Sequence, residues 1–96
     1  MISRMLPAAE AELDGAVAWY RRRSADLGER FRRAVDRSIV KMLDYPSRWP
    51  RISGEYRKCR VTGFPYALIY RNDPQELVVV AVMYLGRKPG YWRDRE

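Results

Sequence analysis

The last thirteen residues, YLGRKPGYWRDRE (84–96), alternate cations with aromatic rings. Arginine offers a planar donor fork that matches phosphate, and an aromatic ring offers a face to a base. Interleaved arginines and aromatics therefore suit RNA or single-stranded nucleic acid. A second group of cations lies upstream: Arg57, Lys58 and Arg60 in YRKCRV, and Arg71 after LIY. If these segments form an up-down meander, Arg60 and Arg87 come to one sheet edge, with Lys88 beside Arg87 and with Tyr84, Tyr91 and Trp92 adding rings. The other reading of the same residues is that Tyr91 and Trp92 fold back to cap the core while the charges are simply solvated.

Other chemistries are removed by composition. The 96 residues contain no histidine and one cysteine, Cys59, so Ser-His-Asp and Cys-His catalysis, cysteine-rich zinc sites and internal disulfides are absent. No metal or cofactor is expected. Cys59 alternates onto the same side as Val61 and reads as a small core residue, not a nucleophile. The acids Glu10, Glu12, Asp14, Glu29 and Asp36 fall away from the apolar stripes of their helices and read as solvated charges, not as a general acid/base pair.

The formal charge is +7, and only Lys41, Lys58 and Lys88 among the 19 cations are lysines. Such a surface favours an anionic partner, whether nucleic acid, acidic protein or membrane, although arginines also serve solubility. The opening MISRML lacks the apolar stretch of a secretion signal. The longest apolar run, Leu77 to Leu85, is far shorter than the ~20 residues a spanning helix needs. A single cytoplasmic domain over residues 1–96 is the expectation.

The elements that must position these side chains follow from periodicity. Ile2, Arg4 and Leu6 alternate as a short strand does. Pro7 opens a helix over about 7–24, whose stripe is Ala9, Leu13, Ala16, Val17 and Tyr20, with Arg21, Arg22 and Arg23 at its C-terminal end. Asp26 and Glu29 resemble a capping box for a second helix, striped by Leu27, Phe31, Ala34, Val35, Ser38, Ile39 and Met42 and ending near Asp44. So short a connection makes the two an antiparallel hairpin. Residues 46–55 read as a loop pinned by Trp49 and Ile52. The period then becomes two: YRKCRV, a turn at Thr62-Gly63, FPYALIYR, a turn at Asn72-Asp73-Pro74, and LVVVAVMYL. The fold class is α+β, with the helices on one face of a three- to four-stranded antiparallel sheet.

Taken in order, AEAELDGAVAWY, LGERFRRAVDRSI, a loop with spaced prolines, R-x-x-x-x-FPY-x-LIYR, a valine-rich strand and R-x-PGYW-x-x-R resemble the RelE/ParE superfamily of toxins from bacterial type II toxin–antitoxin pairs. The resemblance runs from residue 6 to residue 95 and is nearer the ParE-like branch. It implies a toxin neutralised by a cognate antitoxin whose acidic or amphipathic segment wraps it. For the ParE-like branch it implies inhibition of DNA gyrase without hydrolytic chemistry. For the RelE-like branch it implies a ribosome-dependent mRNA endonuclease, with Arg60, Arg87 and Tyr91 as catalytic residues. Arg57, Lys58, Arg71, Tyr84, Lys88 and Trp92 are then contacts to target or antitoxin; a third possibility is a degenerate toxin that only binds antitoxin. Three departures bear on this: Ala67 stands where nuclease members commonly carry arginine, Leu6 where a capping serine is usual, and Tyr84 where many relatives have histidine. The first removes a phosphate-stabilising group of about 3 kcal/mol in the transition state, by analogy with lost oxyanion donors.

Overall fold

The computed structural model describes residues 1–96. Strand β1 (Ile2–Met5) leads into helix α1 (Pro7–Arg23) and helix α2 (Ala25–Asp44). These are followed by β2 (Arg51–Ser53), β3 (Tyr56–Arg60), β4 (Tyr66–Asn72) and β5 (Glu76–Tyr84), and a short 3-10 turn spans Arg93–Arg95. The sheet order is β1-β5-β4-β3-β2, so the long apolar strand is internal.

Two expectations about the sheet need correction. It has five strands, not three or four, and β1 joins β5 in parallel (Ile2 opposite Glu76, Met5 opposite Val79) because the helix hairpin returns the chain before the meander begins. The segment read as a loop also contains β2, which pairs antiparallel with β3 through an irregular register at Arg51 and Ser53. Three residues between Pro50 and Gly54 carry too little alternation to signal a strand.

The hairpin follows its sequence closely. Pro7 occupies the start of α1, and Leu6 precedes it in extended conformation with no side-chain cap. The capping box at Asp26 is not what starts α2. Instead Ser24, extended and between the two helices, accepts a hydrogen bond from the Leu27 amide at 3.3 Å. A serine oxygen reaches the third helical amide from that position, whereas Asp26 is already inside the first turn. Gly28 permits the close helix crossing: a Cβ there would sit 3.2 Å from the Val17 carbonyl and 3.1 Å from the Arg21 Cβ.

Both faces of the sheet are covered. Beneath the helices, Leu13, Val17, Tyr20, Phe31, Val35 and Met42 pack on Cys59, Leu68, Tyr70, Leu77, Val79 and Val82. Cys59 is thus a core residue, and burial pushes its thiol up from its ordinary range against the opposing influence of Lys41 and Arg48. On the opposite face Ala67, Ile69, Val78, Val80, Ala81 and Met83 pack against Trp92. A bulge reconciles the two patterns in β5. Ile69 pairs with Ala81 but Tyr70 pairs with Val79, so Val80 is an extra residue, and Val80 and Ala81 both turn to the Trp92 side. No helix is long and apolar enough to cross a membrane.

Candidate functional site

After β5 the chain crosses the sheet face that the helices leave open. Gly90, with φ +76°, makes the turn that sends Tyr91 and Trp92 inward, and a Cβ there would meet the Arg93 guanidinium at 2.6 Å. Trp92, 2% exposed, fills the centre of this second core and meets the Tyr56 ring edge to face at 4.9 Å. The cap-the-core reading of Trp92 is what the molecule does.

Either side of Trp92 the strap is pinned by a carboxylate. At one end, Tyr91 donates its phenol to Glu12 Oε2 at 2.6 Å, and Arg95 grips both oxygens of Glu12 at 2.7 and 2.9 Å. Glu12 Oε1 also accepts the Val82 amide at 3.0 Å, and Arg95 donates to the Val80 carbonyl at 2.9 Å. Burial, then the bond to Glu12, raise the Tyr91 phenol well above its ordinary range. At the other end, Glu96 takes a fork from Arg71 (2.8 Å at both Nε and Nη2) and the Tyr56 hydroxyl at 2.9 Å, while Asp73 binds the Arg71 Nη1. The Arg71 guanidinium beside Glu96 and Asp73 is raised further above its already high range. Arg71 is therefore a clamp, not a free contact.

Glu12 is the residue that sequence reasoning missed. Its spacing on the helix reads as that of a solvated charge, yet its side chain is 17% exposed and Arg95 facing it is 18% exposed. The available signal was its place on the helix: four residues before Ala16, it lies along the margin of the buried stripe.

The remaining candidates separate into different places. Arg57 points to the helix side and donates to the Ser47 and Trp49 carbonyls at 3.2 and 2.6 Å, holding the loop before β2. Lys58 and Arg87 do come together: with Ile52, Met83, Pro89 and Arg93 they line a shallow depression of about 260 Å³ beside Trp92. Arg87 stacks over the Tyr91 ring at 4.0 Å. Lys88 is exposed next to it. Arg60, expected at one edge with Arg87, borders instead a separate depression with Lys41, Arg48 and Thr62.

Tyr84 is on the other side altogether. The β5 bulge reverses the alternation expected for an unbroken strand, and the ring, half exposed at 50%, lies 5.7 Å from Tyr66 on the helix side. With Gly15, Ala16, Trp19, Tyr20 and Pro65, these two tyrosines line an aromatic groove of about 460 Å³. Arg23 covers the Trp19 ring at 3.9 Å. No group of His, Cys, Asp or Glu has the arrangement to hold a metal ion.

The arrangement can bind but offers little for proton transfer: exposed cations ring a buried tryptophan, and the phenol beside them is already bonded to a carboxylate. No curated protein matches the sequence. The family model for the ParE toxin of the type II toxin–antitoxin system, parDE, matches residues 4–89. That span takes in the end of β1, the helix hairpin, all of the meander and the Arg87 turn, and the chain belongs to the ParE toxin family.

Proposed function

We propose that this chain is a toxin that inhibits DNA gyrase by binding, not by hydrolysis, and is neutralised by a cognate antitoxin in the cytoplasm. The observation that carries this reading is the bond from Tyr91 to Glu12. A nuclease would need that hydroxyl free to polarise a ribose 2′-hydroxyl, but it is donated to a carboxylate held in turn by Arg95. Ala67 adds to the case. It stands where nuclease relatives carry arginine, is completely buried, and packs in the Trp92 cluster, where a guanidinium would displace the strap.

On this reading the exposed Arg87 and Lys88, with the half-buried Lys58, contact the target. The aromatic groove of Trp19, Tyr66 and Tyr84 receives an apolar stretch of the antitoxin; Trp19 is 43% exposed, which leaves a large ring for such a partner to cover. The endonuclease remains the second reading because Arg87 and Tyr91 are in contact.

A gyrase supercoiling assay on relaxed plasmid, with the full chain added, tests the proposal. Loss of supercoiling that antitoxin restores is expected, and undiminished supercoiling at full dose would overturn it. In cells, DNA synthesis falls before protein synthesis after induction, and Tyr91→Phe stays toxic. New message ends inside codons, abolished in Tyr91→Phe, would establish the nuclease instead. No growth defect with antitoxin binding intact would mark a degenerate toxin.

A further inference from the structure

A second basic surface lies away from the strap. Arg30, Arg33, Arg37 and Lys41 follow one another at steps of three and four residues, so they form one row along α2 that rises about 6 Å per four residues. The row borders the turn between β3 and β4. Arg30, Arg33 and Arg37 line one depression there with Gly63 and Phe64, and Lys41 and Arg48 line the next with Thr62. No carboxylate lines either depression.

These cations are also uncommitted. Arg4, Arg21, Arg32, Arg71 and Arg95 each face an acid elsewhere in the fold. Within the row only Arg30 does, through an exposed pair with Asp26 at its outer end. Arg33, Arg37, Lys41 and Arg48 form no ion pair at all.

We propose that this flank of α2, with the β3–β4 turn, binds the phosphate backbone of duplex DNA. The inference does not depend on which protein the toxin inhibits. Three features select this occupant. Regularly spaced guanidinium groups suit a polyanion of regular charge spacing and bind it through counterion release, with no apolar anchor required. An acidic peptide, by contrast, needs apolar anchors to offset its ordering entropy, and the apolar side chains lining this trough, Leu27, Phe64 and Trp49, are part-buried and packed on the core; Phe64 is held edge to face by Tyr20 and Phe31 at 5.2 and 5.0 Å. The two rings that line the trough, Phe64 and Trp49, are committed to the core, which disfavours a single strand, whose bases require stacking platforms.

The test is fluorescence anisotropy of a labelled random-sequence duplex of about 20 base pairs, a length of two helical turns, titrated with the full chain between 50 and 200 mM salt. Arg33→Ala/Arg37→Ala is compared with Arg22→Ala/Arg51→Ala, which removes the same charge from exposed positions outside the trough. The trough pair is expected to weaken binding about tenfold or more and to reduce the salt slope by about 2, since each lost phosphate contact removes about 0.9. The control pair is expected to leave the slope unchanged. Equal losses in both pairs, or no binding by the parent chain at 50 mM salt, would overturn the proposal. So would a glutamate-rich peptide that binds the trough more tightly than the duplex, and that result would assign the surface to an acidic protein. Circular dichroism melts of both variants establish that each is folded.

Discussion

The Tyr91 phenol lies 2.6 Å from the Glu12 carboxylate, joining the last turn of the chain to the first helix across 79 positions of sequence. The contact closes an exposed sheet edge. Strand β1 covers β5 only as far as Val79, and beyond it the Val80 carbonyl and Val82 amide face outward with no strand to pair them. Arg95 and Glu12 satisfy those two groups with side chains. An open edge would invite pairing with another chain, so this cluster blocks strand addition as well as fastening the strap.

Removing the Glu12 charge should loosen the strap first. Glu12→Gln leaves Arg95 half-buried without its counter-ion, at a cost of about 2 kcal/mol. The urea midpoint is expected to fall, and the amides of residues 90–95 to exchange faster. Glu10→Gln, exposed on the same helix, is the control and should change neither. Equal behaviour of the two variants would mean that the Glu12 contacts contribute nothing in solution.

Trp92 should be the most costly aromatic to truncate. Trp92→Ala opens a cavity between Ile69, Ala81, Met83 and Tyr56 and should destabilise the fold by about 3–5 kcal/mol. Trp19→Ala, at a half-exposed ring, should cost less than about 1 kcal/mol by the usual behaviour of surface positions. Thermal melts of the two variants check the difference, and a Trp92→Ala protein as stable as its parent would mean that the strap is not docked.

Stability should be flat near neutrality and fall at both pH extremes. Hydrogen bonds from Arg71 and Tyr56 hold the Glu96 carboxyl below its ordinary range. Its folded pKa is depressed, so its contribution is present above the unfolded carboxylate value of about 4.3 and is lost as pH falls through the folded one. Tyr70 is the opposite case. Burial pushes its phenol up to about 12, so the proton-bearing folded state is fully favoured below the ordinary value of about 10 and loses that advantage as pH rises towards 12. Tyr91, raised by burial and by Glu12, acts in the same direction. Urea midpoints measured across the pH range should show Glu96→Gln flattening the acid limb and Tyr70→Phe the alkaline limb; an unaltered limb in either variant would show that its group is not linked to folding.

The sequence by itself determined the two helices, the meander and the family. Their stripes and turns repeat at short range: Leu13, Val17 and Tyr20 recur at helical spacing, Gly63 marks a hairpin turn, and Pro7 opens a helix, each through local backbone sterics and periodicity. Tertiary structure alone decided what the polar residues do. The signal for Glu12 and Arg95, or Arg71 and Glu96, is a charge on each of two distant segments, and electrostatic complementarity has no period that marks which charges will meet. The bulge at Val80 is equally invisible within LVVVAVMYL, because a uniformly apolar run reads the same in either register. It is nevertheless what sends Tyr84 to the helix side and leaves Met83 with Trp92. Local physics fixed which elements form. Long-range packing then sorted the cations into clamps, such as Arg71 and Arg95, and free surface, such as Arg33 and Arg87, because only burial beside a carboxylate distinguishes one arginine from another.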